Sequence, residues 1–329
     1  MTTVAFFNNK GGVGKTSLAY HLAWMLADRK LRVVAADLDP QANLTSMFLE
    51  ESDLEQLWPE GPHAQTIQGC VDPLIEGTGD IASPKITRVD SNIGLLPGDL
   101  GLSSFEDALS DAWPRCLGGD RRAFRVTSAF SRLIAQATTE QQADIALIDV
   151  GPNLGAINRA ALIAADFVVI PLGPDLFSLQ GLRNLGPTLI RWRADWHDRL
   201  ARNTEPSLPL PEGKMQPAGY VMMRHSIRLD RPVKAYARWI ERMPGVYRTA
   251  VLGQSGVGAP TMENDPDCLA QMKDYRSLMP MSQESNKPMF FLKPADGAIG
   301  GHQSAVRDCY ADFRDLAREI GKSCGFHVS

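Results

Sequence analysis

The chain has 329 residues and a formal charge of −4 at pH 7, with 44% hydrophobic and 22% charged residues. This balance is typical of a globular protein with a large core, and it excludes a global positive field that would draw the whole chain onto nucleic acid. The five cysteines include no C-x-x-C pair, and no stretch is long and apolar enough to cross a bilayer, so we expect a cytoplasmic protein with reduced thiols and no membrane partner.

The first predicted element is a short strand, Val4–Phe7, followed by a glycine-rich loop and an amphipathic helix that begins near Leu18. The loop reads Lys10-Gly11-Gly12-Val13-Gly14-Lys15-Thr16-Ser17. Strand, glycine-rich turn and helix are the context in which backbone N–H groups cradle a phosphate. We therefore predict that the loop binds ATP, with Lys15 on the β- and γ-phosphates and Thr16 on Mg²⁺. The common motif has glycine at the position of Asn9, so this loop is a variant.

The sequence K-G-G-V-G-K-T-S resembles the deviant Walker A loop of the ParA/MinD superfamily of P-loop ATPases. The resemblance implies that Lys10 reaches into a partner subunit and contacts its nucleotide, so that ATP is sandwiched in a homodimer. The alternative is that Lys10 is a solvated loop lysine and that the glycines form an ordinary tight turn.

The second predicted strand, Leu31–Ala36, ends in Asp37-Leu38-Asp39-Pro40-Gln41. Carboxylates at the carboxyl end of a parallel strand lie beside the ligand crevice of a doubly wound sheet. The segment resembles the switch I sequence of the same superfamily, which implies that Asp39 orients the attacking water and that Asp37 lies near Mg²⁺. The alternative is that Asp39 simply starts a turn after a strand.

Residues 50–90 are rich in turn formers and are expected to lie on the surface, with one short helix near Thr66–Ile75. We expect 113–123 to be irregular and Val126–Ala137 to form one helix.

The apolar run that ends in Asp149 has the form of a Walker B strand, in which Asp149 would hold Mg²⁺ through a water. The next residues resemble switch II, with Gly151 in place of its first proline, and the resemblance implies that the Gly151 N–H lies near the γ-phosphate. The alternative for Asp149 is an acid at a strand end with no metal.

Further apolar runs at Asp166–Leu172 and Ala218–Met223 alternate with helical patterns. The alternation predicts a doubly wound α/β fold, a mostly parallel sheet flanked by helices, in one P-loop domain over 1–329. We expect a strand at Tyr247–Leu252, less typical excursions at about 50–90 and 243–280, and a closing helix at Ser304–Ile320.

The strongest local excess of positive charge lies between residues 221 and 243. Four of its cations are candidate DNA contacts: Arg224, Arg228, Lys234 and Arg238. Cations at three- and four-residue steps can share one helix face and neutralise DNA phosphates without reading sequence. The resemblance implies non-specific DNA binding here, and the alternative is a solvated helix face.

Together these features predict a slow, Mg²⁺-dependent ATPase that dimerises on ATP. By resemblance it would act as a nucleotide switch in plasmid or chromosome partition, stimulated by a ParB-like protein. The alternative is a nucleotide-gated scaffold that positions a protein cargo or effector without binding the nucleoid. A metabolic P-loop ligase is disfavoured because no substrate constellation emerges.

Overall fold

The computed structural model describes residues 1–223, 238–254, 258, 260–275 and 277–329. Within them, eight strands form one sheet in the order β3-β4-β2-β5-β1-β6-β7-β8. The strands are β1 (Thr2–Phe6), β2 (Val33–Asp37), β3 (Thr87–Asp90), β4 (Ile93–Leu96), β5 (Ile145–Asp149), β6 (Phe167–Leu172), β7 (Gln216–Met223) and β8 (Cys268–Met272). All neighbouring strands pair in parallel except β3 and β4, which are antiparallel.

The central strands are apolar throughout because both faces of the sheet are covered. In β1, Val4 and Phe6 pack into the core on one face, while Ala5 and the following Phe7 pack into the core on the other. Successive side chains of a strand point to opposite faces, so a continuous apolar run is what a strand between two helical layers requires.

The helices of the described residues follow the strands in the expected alternation. They are α1 (Lys15–Asp28), α2 (Asn43–Phe48), α3 (Glu51–Leu57), α4 (Ile67–Glu76), α5 (Phe105–Arg115), α6 (Arg121–Thr127), α7 (Ala129–Glu140), α8 (Ala156–Ile163), α9 (Leu176–Leu200), α10 (Met243–Val246), α11 (Met279–Glu284) and α12 (Gly301–Cys324). Helices α1 and α12 cover one face of the sheet, and α5 to α9 cover the other. The predicted doubly wound α/β fold is confirmed.

The strand expected at Tyr247–Leu252 is wrong, because Tyr247–Val251 forms a π-helical turn that continues α10. This turn packs on α9 so closely that a Cβ at Gly186 would lie 1.9 Å from the Ala250 carbonyl oxygen. The edge of β7 that such a strand would need is occupied by β8. The 243–280 segment therefore supplies a strand of the sheet, but later in the chain than expected.

Three smaller expectations also change. The helix expected near Thr66–Ile75 is confirmed by α4, but 50–90 is more regular than expected, because it also contains α3 and β3. The single helix expected at Val126–Ala137 is divided at Ser128 between α6 and α7. Much of 113–123, expected to be irregular, is helical, because α5 continues to Arg115 and α6 begins at Arg121 after an N-cap by Asp120. Among the helices of the described residues, none combines the length and apolarity needed to cross a membrane.

Candidate nucleotide-binding site

The glycine-rich loop connects β1, in the middle of the sheet, to the first residue of α1. Gly12 and Gly14 have φ values of 70° and 89°, a left-handed conformation that L side chains rarely adopt. No side chain caps the N-terminus of α1, and its first turn contains no acidic residue. The helix therefore presents unpaired N–H groups and its positive dipole end at the loop, which suits an anion such as a phosphate.

Lys15 is buried at the start of α1, and its ammonium is held over the loop. Its Nζ donates to the carbonyl oxygens of Asn8, at 3.1 Å, and of Lys10, at 3.3 Å. Burial lowers the pKa of Lys15, although the nearby carboxylates of Asp149 and Asp39 oppose that effect. A buried cation that donates to two carbonyl oxygens of the described residues can accept an anionic ligand as well.

Lys10 lies at the outer rim of the loop and is paired within its own chain. Its Nζ is 2.6 Å from Oδ2 of Asp175 and 5.8 Å from the ring centroid of Phe177. Asp175 also caps α9, because its Oδ1 accepts a hydrogen bond from the Ser178 N–H at 2.9 Å. The ion pair lowers the pKa of Asp175 against the effect of burial. The Lys10 side chain keeps 32% exposure, so it is accessible from outside the subunit.

Two fully buried aspartates end neighbouring strands, since Asp37 of β2 lies beside Asp149 of β5 in the sheet register. Asp37 is hydrogen-bonded: its Oδ2 accepts from the Thr45 N–H and the Thr45 hydroxyl, both at 2.8 Å. Burial nevertheless raises the pKa of Asp37 to about 7. No described residue makes a well-formed hydrogen bond to either carboxylate oxygen of Asp149, although the Thr16 hydroxyl lies close enough to affect its pKa. Burial, and next the charge of Asp37, raise the pKa of Asp149 well above its ordinary value, although the Thr16 hydroxyl counteracts this.

Buried oxygens without partners are rare in folded proteins, and those of Asp149 need a proton, a water or a cation nearby. The described residues contain no group of three or more His, Cys, Asp or Glu that could hold a metal by themselves. Mg²⁺ does not require such a group, because it keeps several waters and takes phosphate oxygens as ligands. Thr16 and Asp149 therefore fit Mg²⁺ bound together with a phosphate.

Asp39 and Gly151 bring the two predicted switch segments together. Asp39 is 6% exposed, and its Oδ1 accepts a hydrogen bond from the Gln41 N–H at 3.0 Å. A Cβ added to Gly151 would lie 3.2 Å from that same Oδ1. Glycine at 151 thus permits the close approach of the second loop to the Asp39 carboxylate.

A cavity of about 670 Å³ lies against the loop and collects most of the predicted site residues. Those lining it are Gly11, Gly12, Gly14, Lys15, Thr16, Ser17 and Asp39. The other predicted residues of the site do not line it: Lys10, Val13, Asp37, Asp149 and Gly151. The two aspartates are buried at the strand ends. The arrangement provides amide donors, a cation and a carboxylate around a space of ligand size.

The other residues that line this cavity were not predicted from the sequence. They are Tyr20, Gln41, Asn43, Ser46, Met47, Pro152, Met279, Ser282, Gln283 and Asn286. Gln41 and Asn43 belong to the segment that resembles switch I, so their position in that motif was a usable signal. The contributions from α11 and Asn286 carry no local signal, because the fold brings them to the loop from a distant part of the chain.

A second cavity, of about 260 Å³, lies on the other side of the loop and is mostly apolar. Four methionines contribute to its wall: Met223, Met272, Met279 and Met289. Val13 and Gly14 line it from the loop side, so the two cavities flank the phosphate loop. Met223 and Met272 reach this wall from the ends of β7 and β8, and local sequence patterns did not identify them as part of the site.

The candidate DNA contacts cannot be compared as a set. Arg224, Arg228 and Lys234 lie outside the described residues. Arg238 is exposed, with its guanidinium 4.4 Å from the ring centroid of Trp239. DNA binding through these residues stays a prediction.

Comparison with known proteins assigns the family. A family model described as an AAA domain, AAA_31, matches residues 1–201, more than half of the chain. Protein IncC of Escherichia coli is 31% identical over 198 residues, which are 59% of this chain and 47% of IncC. The sporulation initiation inhibitor protein Soj of Bacillus subtilis is 33% identical over 184 residues, 55% of this chain and 62% of Soj. The chain thus spans about half to three fifths of the length of these curated relatives.

The fold comparison extends over nearly the whole chain. The structure of a Cyanothece McdA variant in complex with ATP superposes with a TM-score of 0.63, at 17% identity, and the match covers 99% of this chain and 97% of McdA. At that identity the likeness shows the fold alone. The variant phosphate loop, the two strand-end aspartates and the AAA_31 match agree, and the chain belongs to the ParA/MinD superfamily of P-loop ATPases, among the ParA-like partition ATPases.

Proposed function

We propose that the protein binds ATP with Mg²⁺ at the loop between β1 and α1 and hydrolyses it slowly. The observation that carries this proposal is the buried Asp149, to which the described residues make no well-formed hydrogen bond, beside the Thr16 hydroxyl, an uncapped helix N-terminus and the buried Lys15. Mg²⁺ would supply neutralisation of charge on the phosphates. Thr16 and Asp149 would hold it, with Asp37 behind them, because Oδ2 of Asp37 already accepts two hydrogen bonds from Thr45 and Oδ1 accepts one from the Asp39 N–H.

In this proposal catalysis is mostly positioning and charge stabilisation. The backbone N–H groups of 11–17 and Lys15 would hold the phosphates, Asp39 would orient the attacking water, and the Gly151 N–H would report the γ-phosphate to the second loop. The relation to P-loop ATPases supports hydrolysis, and the ATP complex of the McdA variant supports the choice of nucleotide.

We further propose that ATP assembles two copies of the chain, with Lys10 of each copy contacting the nucleotide of the other. Three exposed apolar side chains support an interface on this side of the molecule: Leu154 at 39%, Leu176 at 40% and Phe177 at 72% exposure. Phe177 is within reach of Lys10, so the apolar surface and the cation lie together. Apolar surface next to a charged group is typical of an interface.

The test of the sandwich is Lys10→Ala, followed by sedimentation velocity with and without Mg–ATP and by titration with a fluorescent ATP analogue. We expect the variant to bind nucleotide as a monomer and to lose ATP-dependent dimerisation. Lys322→Ala on α12 is the matched control, because Lys322 is exposed and pairs only with Glu319 among the described residues. ATP-dependent dimerisation of Lys10→Ala at the wild-type level would refute the sandwich.

The biological role that fits this switch is plasmid or chromosome partition in the cytoplasm, on nucleoid DNA and with a ParB-like partner that stimulates hydrolysis. Membership of the ParA-like partition ATPases supports it, as does the basic segment at 221–243. The test is a gel shift with non-specific duplex DNA, with and without ATP, across a salt series. Each phosphate neutralised should contribute about −0.9 to the slope of log K against log salt. Absence of binding at every salt concentration would refute the partition role and favour the scaffold.

A further inference from the structure

A carboxylate outside every predicted motif holds the end of the second switch loop. Glu106, in the first turn of α5, accepts hydrogen bonds from two backbone N–H groups of α8: Ala156 to Oε1 at 2.6 Å and Ile157 to Oε2 at 2.8 Å. Helix α8 begins directly after the 151–155 loop and has no side-chain cap of its own. One carboxylate from a distant helix therefore supplies the missing cap.

This contact is strong for its size. Both bonds involve a charged acceptor, and the negative carboxylate lies at the positive end of the helix dipole. The approach is close, because a Cβ added to Gly155 would lie 2.7 Å from Oε1 of Glu106 and would displace that carboxylate. The loop and the carboxylate are therefore fitted to one another.

The other end of the loop is held by Asn158, which is almost fully buried. Its Nδ2 donates to the carbonyl oxygens of Gly151 and Asn153, both at 2.8 Å. Gly151 is the residue that approaches Asp39. Residues 151–155 are thus held at both ends by side chains that do not line the cavity beside the phosphate loop.

The segment between β4 and α5, which leads to Glu106, is linked by hydrogen bonds through Thr45 to the end of β2, where the candidate site lies. After β4, the Gly98 N–H donates to the Thr45 hydroxyl at 2.8 Å, and that hydroxyl donates to Asp37. Asp99 then caps the 3₁₀ turn that leads into α5, accepting from the Gly101 N–H at 2.7 Å. The position of Glu106 is therefore tied to the first switch segment, while its carboxylate holds the second.

We propose that Glu106 is a positioning residue for ATP hydrolysis, which acts through the N-terminus of α8 by holding the 151–155 loop against Asp39. The inference rests on the proposed ATPase function. Because an error of about 1 Å in the placement of reacting groups can cost on the order of a hundredfold in rate, loss of this cap should lower turnover more than nucleotide binding.

The test compares Glu106→Gln with the full-length wild-type chain. Glutamine keeps one acceptor oxygen but turns an NH₂ group toward a backbone N–H, so only one of the two bonds survives. Asp107→Asn is the matched control, because Asp107 is exposed in the same helical turn. Glu106→Asp is the conservative variant, with the charge kept and the reach shortened by one methylene.

Two measurements are made on each protein. Amide hydrogen exchange of the nucleotide-free protein should be faster over 151–157 in Glu106→Gln and unchanged in Asp107→Asn. Steady-state hydrolysis should show kcat about tenfold lower in Glu106→Gln with KM within about twofold, and a smaller loss in Glu106→Asp, as expected when positioning is lost.

The outcomes separate the inference from the function on which it rests. If the wild type hydrolyses ATP but Glu106→Gln keeps the wild-type kcat, or shows unchanged exchange over 151–157, the inference is refuted. If the wild type is inactive while exchange still rises in Glu106→Gln, the proposed function fails and the role of Glu106 in holding the loop survives.

Discussion

Two groups of buried charged side chains in this molecule differ in the hydrogen-bond partners that the chain provides for them. At the edge of the sheet beside the phosphate loop, the described residues offer the Lys15 ammonium two carbonyl oxygens and make no well-formed hydrogen bond to the Asp149 carboxylate. On the helical face formed by α6 and α7, Arg132 is 7% exposed and fully engaged. It binds both oxygens of Asp80, at 2.7 and 3.0 Å, and the carbonyl oxygen of Arg125 at 2.8 Å.

The pKa values of the carboxyl groups are shifted in opposite directions in the two groups, down for Asp80 and up for Asp149. The hydrogen bonds and charges of Arg132 and Arg125 lower the pKa of Asp80 despite partial burial. Burial and a neighbouring carboxylate raise the pKa of Asp149. The first group has its ligands within the chain and serves the fold. The second group lacks such partners among the described residues, which indicates a site that is completed by a bound ligand.

The largest contrast is expected from replacing each buried cation by methionine. Lys15→Met should reduce ATP hydrolysis by at least about a hundredfold, because it removes the cation over the phosphates. It should not lower the free energy of unfolding of the nucleotide-free protein. The lowered pKa of Lys15 means that the folded state disfavours its charge, and methionine keeps the apolar stem. A phosphate-release assay measures the hydrolysis, and urea unfolding measures the free energy of unfolding. Marked destabilisation by Lys15→Met would contradict the comparison.

Arg132→Met should show the reverse pattern. Removing the cation leaves Asp80 without its bidentate partner, which we expect to cost about 2 kcal/mol, less than for a fully buried pair because Asp80 is 31% exposed. ATP hydrolysis should be unchanged at a temperature where the variant is folded. Arg115→Met is the control, because its pairs with Asp111 and Asp120 are more exposed. An equal loss of unfolding free energy in Arg132→Met and Lys15→Met would contradict the distinction between the two groups of buried charges.

The same contrast explains how far the sequence analysis could go. The phosphate loop and the strand-end aspartates follow from short segments, since a buried strand that ends in an acid or in a glycine-rich turn is a local pattern. Lys15, Asp39 and Asp149 were therefore identifiable. The partners that decide their state, such as Asp175 for Lys10, Thr45 for Asp37 and Glu106 for α8, come from elsewhere in the chain. No local pattern predicts them.

The wrong strand at Tyr247–Leu252 has a related cause. The segment is rich in β-formers, yet Tyr247 is fully buried with its ring 5.0 Å from that of Tyr220, and the turn packs on α9 at Gly186. Tertiary packing overrode local propensity here. Cys268–Met272 forms the edge strand instead, although this short segment contains no β-branched residue, and its position depends on pairing with β7.

His21 should make a smaller, pH-dependent contribution to the free energy of unfolding. Both of its ring nitrogens are hydrogen-bonded in the folded state. Its Nδ1 donates to the Ser17 carbonyl oxygen at 2.7 Å, and its Nε2 accepts from the Met289 N–H at 3.2 Å. Burial lowers the pKa of His21 to about 4, whereas the unfolded chain protonates near pH 6.5. The unfolded state therefore binds the extra proton first, and stability is lost as pH falls from about 6.5 toward 4.

This shift should make the wild type about 2 kcal/mol less stable at pH 5 than at pH 7 through His21 alone. Urea unfolding at both pH values measures it, with His21→Gln reducing the pH-dependent difference by that amount. His197→Gln, at an exposed position of α9, is the control. An unchanged difference in His21→Gln would mean that His21 is not the group that titrates.

The smallest effect is expected at the rim of the loop, where one charge pair would have to open if Lys10 is to reach a second subunit. The side chains of the Lys10–Asp175 pair are 32% and 26% exposed, so the pair should oppose that movement by less than about 1 kcal/mol. Asp175→Asn removes the charge while asparagine still caps α9. We expect ATP-dependent dimerisation to become about threefold tighter by sedimentation velocity, within the range for an exposed pair. Asp144→Asn, which weakens a comparable pair with Arg32 at the other end of the sheet, should leave dimerisation unchanged. Weaker dimerisation of Asp175→Asn would instead mean that Asp175 supports the assembled state.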